Sequence, residues 1–292
     1  MKLLRFNNGR IGLVIDDTVR DVTTAAGVDP EFWPPVGVVR LIEQFAHRRD
    51  DLLAAALAAE PLAIDSVVID NPVPWPNKLI AIPVNYHAHA LEMSSPAISK
   101  NGGFFVKSAS SLSGAGQPVL LPDLPGRAVH HEAELAVVIG RRGRHIPREQ
   151  ALDYVFGYGC LLDMTVRGKQ ERAIRKSYDT FTPLGPWITT ADEVPDPSAL
   201  RVQLWVNGEP RQDAWTRDMI VDVPEIIAMC SSVMTLEPGD VIATGTAEGV
   251  GPVVPGDEIT IDITPGVGRM TVAVAQGEGG WNVAIPRTLP NI

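Results

Sequence analysis

His131-Glu-Ala-Glu-Leu-Ala-Val-Val-Ile139 is the stretch in which two closely spaced acids run into a long apolar segment. The apolar segment is rich in β-branched residues, which predicts a buried strand. Side chains two positions apart on a strand point to the same face of the sheet. The carboxylates of Glu132 and Glu134 are therefore predicted to face the same way.

Two interpretations of this acid pair are open. Carboxylates beside a hydrophobic segment repel each other and are costly to desolvate unless a cation lies between them. A hard divalent cation such as Mg²⁺ or Mn²⁺ would satisfy Glu132 and Glu134, because it prefers oxygen ligands. The other interpretation is a solvent-facing edge strand that carries two ordinary charges.

A third acid supports the metal interpretation. Another apolar segment, Val155-Phe-Gly-Tyr-Gly-Cys-Leu-Leu-Asp163, ends in an aspartate that packing alone does not explain. Asp163 is therefore predicted to be a third carboxylate ligand. His130 shares a face with Glu132 and Glu134 and is a possible further ligand, although a hard cation does not need imidazole.

Composition limits the classes of partner. The chain has 292 residues, 45% hydrophobic and 21% charged, which suits one large domain or two unequal ones. The formal net charge of -10 argues against nucleic acid but not against small anionic substrates. Two cysteines without a CxxC motif favour a reducing cytoplasm. No signal peptide is evident, and no apolar run approaches the roughly 20 residues that span a bilayer, so no membrane partner is expected.

Residues 1–70 are predicted to form a small N-terminal α/β accessory region. Short strands are predicted at residues 3–6, 10–15 and 18–22, and an Asn8-Gly9 turn joins the first two. A helix is predicted at residues 38–59, with an apolar face made of Leu41, Phe45, Leu52, Leu53 and Leu57. After a proline-rich linker, the catalytic domain is predicted to occupy residues 71–292.

A histidine and a glutamate lie three positions apart in Asn85-Tyr-His-Ala-His-Ala-Leu-Glu92. On a short helix His89 and Glu92 can hydrogen-bond, and a carboxylate that orients a histidine makes it a better general base. The alternative is an ordinary surface contact. The following residues are polar and contain glycine, which predicts a mobile lid at about residues 86–102.

Together these motifs resemble the fumarylacetoacetate hydrolase family over roughly residues 75–285. The matching positions are Glu132, Glu134 and Asp163 in the metal motif, Asn85, Tyr86, His89 and Glu92 in the lid motif, Arg167, Gln170 and Lys176 after the metal aspartate, and Thr246 in the glycine loop 245–251. The chain departs from residues common in the family at Leu162, at His130-His131 and at positions 108–111. None of these departures removes a residue of the metal motif.

The many short strands joined by turns favour a mixed β-roll, and the resemblance implies the same α+β, β-rich fold as a homodimer. It further implies a metal-dependent hydrolase that cleaves a carbon–carbon bond in 1,3-dicarbonyl acids such as acylpyruvates, with Mg²⁺, or Mn²⁺ or Ca²⁺, as the cofactor. The implied roles are metal binding for Glu132, Glu134 and Asp163, general base catalysis for His89 with Glu92, oxyanion stabilisation for Lys176, and substrate binding for Tyr86, Arg167, Gln170 and Thr246.

Three alternatives stay open on the same residues. Oxaloacetate decarboxylation needs no attacking water, and isomerisation of the 2-hydroxyhepta-2,4-diene-1,7-dioate type needs only a proton shuttle. A relative that binds a dicarboxylate or dimerises without catalysis is the third. Substitution of His89 would separate hydrolysis from decarboxylation.

Overall fold

The structure, a computed structural model, describes residues 1–94 and 103–279. The N-terminal part contains β1 (Lys2–Phe6), β2 (Arg10–Ile15), β3 (Thr18–Asp21), α1 (Thr23–Ala26), α2 (Gly37–Ala58), β4 (Pro61–Ala63) and β5 (Ile69–Asp70). The middle part contains β6 (Leu79–Ala81), α3 (His87–Glu92), β7 (Phe105–Lys107), β8 (Leu112–Ser113), β9 (Val119–Leu121), β10 (Val129–His131), β11 (Ala133–Ile139), β12 (Val155–Leu162) and β13 (Thr165–Val166). The last part contains α4 (Arg172–Arg175), β14 (Thr182–Thr190), β15 (Arg201–Val206), β16 (Glu209–Trp215), α5 (Val223–Val233), β17 (Val241–Ala243), β18 (Gly251–Val253), β19 (Glu258–Thr264) and β20 (Gly268–Gln276).

These strands form three sheets. The main sheet has 12 strands in the order β4-β3-β2-β1-β14-β12-β11-β17-β6-β7, with β5 beside β1 and β8 beside β14. A small sheet has the order β13-β10-β18, and a five-stranded sheet has the order β16-β15-β19-β20-β9. Most pairs are antiparallel, whereas β17 with β6, β14 with β8 and β20 with β9 are parallel. The predicted α+β, β-rich fold with mixed sheets is confirmed.

Strand β11 lies in the interior of the main sheet, between β12 and β17. All seven of its residues are buried. Leu135, Val137 and Ile139 enter one hydrophobic core, and Ala136 and Val138 enter another on the opposite face. Both faces of the strand are covered, which explains the uninterrupted apolar sequence. The interpretation of this segment as a solvent-facing edge strand is wrong.

The N-terminal strands continue the main sheet, because Lys2 of β1 is paired with Thr189 of β14. Helix α2 packs on the same sheet, where the ring of Phe45 lies 5.0 Å from that of Phe156. The predicted Asn-Gly turn joins β1 to β2. The division into accessory and catalytic domains at residue 70 stays a prediction. In the described residues, no helix is both long and apolar enough to cross a membrane.

The apolar face predicted for α2 is partly wrong. Leu53 and Leu57 are 39% and 68% exposed, whereas Leu41, Leu52 and Ala56 are buried. A helix turns by about 100° per residue, so Leu53 and Leu57 lie one step around the helix from the buried Leu52 and Ala56. Their apolar character alone had placed them on the buried face.

Three chain segments pass from the main sheet to the small sheet at one place, which we call the seam. Strand β10 leads into β11 through Glu132, β12 leads into β13 through Asp163 and Met164, and β17 leads into β18 through residues 244–250. At the seam the backbone N–H of Asp163 donates a 2.9 Å hydrogen bond to the carbonyl of Glu132. The crossing therefore sets these two acids side by side, although 31 positions separate them in the sequence.

Candidate active site

Three carboxylates cluster at the seam. Glu132, Glu134 and Asp163 are 5%, 2% and 2% exposed, and one ligand atom from each lies within 4.8 Å of the others. Buried carboxylate oxygens are the donors that Mg²⁺ and Mn²⁺ prefer, so this donor set fits a hard divalent cation. His130 is not a member of this cluster of ligand atoms.

Three cations surround the carboxylates. The Lys176 ammonium donates hydrogen bonds to Glu132 Oε2 at 2.7 Å and to Asp163 Oδ2 at 2.5 Å. Lys107 Nζ donates to Asp163 Oδ1 at 2.5 Å, and the Arg167 guanidinium lies 3.2 Å from Glu132 Oε1. The number of positive side chains therefore matches the number of carboxylates.

The electrostatic environments of Glu132 and Glu134 shift their pKa values in opposite directions. Burial would raise the pKa of Glu132, but Lys176 and Arg167 outweigh it and lower that pKa to about 2. Burial and the adjacent charge of Asp163 raise the pKa of Glu134 well above its usual range. Burial would lower the pKa of Lys176, but the three carboxylates raise it above its usual value. Lys176 thus stays a charged hydrogen-bond donor inside the site.

The glycine loop orients two acids of the site at once. The backbone N–H of Gly245 donates to Glu134 Oε2 at 2.7 Å, and the N–H of Gly249 donates to Glu92 Oε1 at 3.0 Å. The other oxygen of Glu92 lies 2.9 Å from His89 Nδ1. The predicted His89–Glu92 hydrogen bond is therefore present, and His89 is buried. One loop links a carboxylate of the acidic cluster to the carboxylate that orients the histidine.

Two of the glycines of this loop, Gly245 and Gly249, are required by close approach of the chain to itself. Gly249 has a φ of +90°, and a Cβ there would lie 2.0 Å from the carbonyl oxygen of Arg211. Gly245 has a φ of +95°, and a Cβ there would lie 2.6 Å from the Cβ of Asn85. Larger residues would push the loop away from Glu134 and Glu92.

Gln212 connects the glycine loop to strand β11 through hydrogen bonds. Its amide donates to Thr246 Oγ1 at 2.8 Å and to the Ala247 carbonyl at 3.0 Å, while its oxygen accepts the Ala133 N–H at 2.9 Å. The Thr246 hydroxyl itself donates to the Ala133 carbonyl at 2.9 Å. Thr246 is thus held by protein groups, and its contact with substrate stays a prediction.

A cavity of about 170 Å³ opens over the carboxylates. The predicted site residues that line it are His89, Glu132, Glu134, Asp163, Arg167, Lys176 and Thr246. Further lining residues are Ile82, Pro83, Val84, Met93, Phe105, Arg172 and Arg175. Tyr86 lies in the hydrophobic core and Gln170 has a buried amide oxygen without a hydrogen-bond partner, and neither lines this cavity in the described structure. The predicted substrate contacts of these two stay predictions.

Four residues of the site were not predicted. Lys107 ends an apolar strand as Asp163 does, and the argument applied to that acid would have found it. Arg172 and Arg175 follow Arg167 in the sequence, but a run of basic residues does not by itself indicate a cavity. Gln212 has no local signal, because its partners lie 34 and more positions away along the chain. Residues 95–102 of the predicted lid lie outside the described residues.

Comparison with known proteins identifies the family. The family model described as fumarylacetoacetate (FAA) hydrolase C-terminal matches residues 78–275. This chain belongs to the fumarylacetoacetate hydrolase family. The resemblance found in the motifs of the sequence is confirmed.

Several characterised members are similar to most of the chain. The maleylpyruvate hydrolase of Aquipseudomonas alcaligenes is 44% identical over 286 residues, which cover 94% of this chain and 99% of that one. The maleylpyruvate hydrolase of Sphingobium sp. SYK-6, solved with manganese(II) and pyruvate, is 52% identical with a TM-score of 0.87 and covers 96% of this chain and 100% of its own. A mitochondrial oxaloacetate tautomerase of Mus musculus is 40% identical over 212 residues, 70% of this chain and 94% of that protein.

Proposed function

We propose that this protein is a divalent-metal-dependent hydrolase that cleaves the carbon–carbon bond between the acyl carbonyl and the methylene carbon of an acylpyruvate. The products are pyruvate and the carboxylic acid of the acyl group. The observation that carries the proposal is the buried carboxylate cluster in a cavity that His89 also lines. The similarity to two maleylpyruvate hydrolases over nearly the whole chain supports the same reaction class.

The cofactor proposed for Glu132, Glu134 and Asp163 is Mg²⁺ or Mn²⁺. When bound there, a divalent cation would supply Lewis acidity for the oxygens of the substrate. The manganese in the Sphingobium relative supports a hard divalent ion. The carboxylate oxygens and the absence of cysteine and histidine from the cluster of described ligand atoms favour this class of metal over Zn²⁺.

His89 acts as the general base. Its Nδ1 is held by Glu92, so the tautomer that carries a proton on Nδ1 leaves Nε2 to accept one. Nε2 takes a proton from the water that attacks the acyl carbonyl. When the carbon–carbon bond breaks, the same proton passes to the methylene carbon of the departing pyruvate. Atoms balance, because one water is divided between the acid and pyruvate.

Lys176 stabilises negative charge on oxygen. Its ammonium is buried between Glu132 and Asp163 and has a raised pKa, so it stays a donor at neutral pH. A positioned donor in a buried cavity is worth most where charge develops in the transition state. Arg167, which lies 3.2 Å from Glu132, positions the substrate carboxylate at the same end of the cavity.

A second candidate function uses the same groups for proton transfer alone. The similarity to an oxaloacetate tautomerase favours it, because the His89–Glu92 pair can also move a proton between carbon and oxygen without a water. Decarboxylation of oxaloacetate would need no attacking water, and the enolate left after CO₂ departs would take up a proton to give pyruvate. The predicted homodimer and cytoplasmic location remain predictions that belong to this proposal.

Product analysis by NMR tests the proposal. Acetylpyruvate, fumarylpyruvate and oxaloacetate are each incubated with the protein, with Mn²⁺ or with a chelator. We expect pyruvate and a free acid from the first two, only with the metal. Turnover of oxaloacetate alone, to its enol or to pyruvate and CO₂, would move the assignment to the tautomerase or the decarboxylase.

Substitution His89→Ala separates the roles. Loss of the general base is expected to lower kcat for acylpyruvate hydrolysis by about 10²- to 10⁴-fold. Substitution of the exposed His47 in α2 in the same way serves as the matched control. Unchanged hydrolysis in the His89 variant would remove this residue from the mechanism.

A further inference from the structure

The helix that carries the proposed general base is too short to hold its own position. Helix α3 has 6 residues, His87–Glu92, and a helix of this length is marginal in water without tertiary contacts. Its end is held by the hydrogen bond from the Gly249 N–H to Glu92. The placement of His89 beside the carboxylates therefore also depends on what fixes the start of the helix.

Asn85, which lies just before α3, fixes that start. Its side chain is fully buried, and its amide donates hydrogen bonds to the carbonyls of Val221 at 2.9 Å and of Thr244 at 2.8 Å. Its side-chain oxygen accepts the Val221 N–H at 2.9 Å, and its backbone carbonyl accepts the Ile220 N–H at 2.8 Å. Hydrogen bonds to two distant segments thus hold the residue that leads into the helix.

Thr244 connects this anchor to the strand of the acidic cluster. Its hydroxyl donates to the carbonyl of Leu135 on β11 at 2.9 Å, and its N–H donates to the same carbonyl at 3.2 Å. It also precedes Gly245, whose N–H holds Glu134. Through Thr244, Asn85 therefore ties the start of α3 to the backbone that positions the carboxylates.

The backbone beside Asn85 has a conformation that needs support. Val84, which lines the cavity, has a φ of +50°. The left-handed region is unfavourable for a β-branched residue, and such a residue persists only where the surrounding structure determines its conformation. The hydrogen bonds of Asn85 to Val221 and Thr244 supply that constraint on the C-terminal side of Val84. Strain of this kind is concentrated at functional sites.

We propose that Asn85 is a positioning residue, which sets the distance from His89 to the acidic cluster by anchoring the start of α3 to Thr244. This inference rests on the proposed function and adds a residue that does not line the cavity in the described structure. Among side chains of this size, only the carboxamide carries two donors and an acceptor on one planar group. An ionised Asp has no donor, and Ser has a single hydroxyl proton.

Asn85→Asp tests the inference with a nearly isosteric change. It removes both donors and sets a carboxylate against the carbonyls of Val221 and Thr244, so we expect the start of α3 to move away from them. The resulting misplacement of His89 is expected to lower kcat for acylpyruvate hydrolysis about 10- to 100-fold. KM and the Kd for Mn²⁺ should keep their native values, because the clustered carboxylates retain their own hydrogen bonds.

Asn71→Asp is the matched control. Asn71 is also buried and its oxygen also accepts a backbone N–H, that of Val73 at 2.9 Å, but it does not line the cavity in the described structure. The control introduces the same buried charge and should keep the native kcat. Asn85→Ser, which retains one hydroxyl donor, is the second test variant and serves if Asn85→Asp does not fold.

Four results would overturn the inference. The first is a native kcat in a folded Asn85 variant, and the second is an equal loss of kcat in the Asn71 control. The third is a Kd for Mn²⁺ that rises in parallel with the loss of kcat, which would indicate a general structural defect. The fourth is failure of both Asn85 variants to fold, since Asn85 would then serve the fold rather than the placement of His89.

Proton exchange distinguishes failure of the inference from failure of the proposed function. In D₂O with Mn²⁺, His89 can remove a methyl proton from pyruvate and a deuteron returns from the solvent, without an attacking water. We expect this exchange, followed by ¹H NMR, to slow about 10- to 100-fold in Asn85→Asp. Native protein that exchanges pyruvate but hydrolyses neither acetylpyruvate nor fumarylpyruvate would refute the hydrolase, and exchange in the variant would still decide the role of Asn85.

The crystal structure of the Asn85→Asp variant decides the role of Asn85 if the native protein catalyses neither reaction. We expect His89 to shift by roughly 1 Å relative to Asp163, the scale of misplacement that impairs catalysis. An unmoved His89 in that structure would overturn the inference.

Discussion

The two walls of the cavity are built in different ways. The acidic wall lies on or beside β11 and β12 in the interior of the main sheet, and Lys107, Lys176 and the Gly245 N–H hold its carboxylates. The basic wall consists of Arg172 and Arg175 on the four-residue helix α4, which is the only regular element between β13 and β14 in the described structure. Strand pairing in the interior of the sheet fixes the positions of the carboxylates in the acidic wall. The position of the basic wall depends only on a short local segment.

This difference has a functional consequence. A chemical step that depends on geometry belongs on rigid strands, and a selectivity element can change on a short connecting segment without disturbing them. Substitutions in the acidic wall should therefore abolish metal binding and turnover. Substitutions in the basic wall should alter which acyl chain is preferred. The predictions below sharpen this contrast, from the largest expected effect to the smallest.

Glu134→Gln tests the acidic wall most severely. The change keeps the shape of the side chain but replaces one of the three clustered carboxylates with a neutral amide, which cannot supply an anionic ligand. We expect turnover to fall by at least about 10³-fold and Mn²⁺ affinity to fall with it, because the metal supplies several kcal/mol to the transition state. Glu237→Gln at the surface is the control, and Mn²⁺ binding followed by electron paramagnetic resonance is the measurement. Native Mn²⁺ affinity in the Glu134 variant would refute the cluster as the metal site.

Gly249→Ala tests the link between the glycine loop and the general base. A Cβ at this position would collide with the Arg211 carbonyl and separate the Gly249 N–H from Glu92. We expect kcat to fall about 10- to 100-fold through misplacement of His89. Gly256→Ala is a matched control, because Gly256 has a φ of +97° but a Cβ there meets nothing within 4 Å.

The two glycine variants separate strain from collision. Both carry the cost of a positive φ, about 1–2 kcal/mol of folding free energy. Only the Gly249 variant should lose activity in steady-state kinetics at a temperature where both are folded. Equal losses of kcat in the two variants would mean that the loop does not act through Glu92.

Gln212→Ala tests the clamp between the loop and β11. The substitution leaves the buried Ala133 N–H and the Ala247 carbonyl without their partner, at a cost of about 1–3 kcal/mol in unfolding free energy. Gln203→Ala, on the neighbouring strand β15, is expected to change that free energy by less than about 0.5 kcal/mol. Urea denaturation measures both. Similar stabilities for the two variants would show that the clamp is not a structural element of the site.

Prediction from the sequence succeeded where the signal is local. The β-branched run identified β11, the Asn8-Gly9 pair identified the first hairpin, and the alternation of side chains placed Glu132 and Glu134 on one face. It failed at Leu53 and Leu57. These residues were assigned to the buried face of α2 because they are apolar, without regard to their angular position around the helix axis.

The seam could not be predicted from local patterns. It depends on pairings between segments far apart in the chain, such as the bond from Gly245 to Glu134 across 111 positions. The motif resemblance supplied some of this long-range information, because it placed Asp163 with the glutamates. It supplied nothing about Gln212 or Arg175, whose importance appears only when the cavity is assembled.

Anomalous diffraction from crystals grown with Mn²⁺ tests the central claim most directly, since it locates the metal without reference to activity. The account predicts one strong peak at the seam, about 2.1 Å from oxygen atoms of Glu132, Glu134 and Asp163. A peak at any other position, or no peak at the seam in crystals that contain the metal, would contradict it.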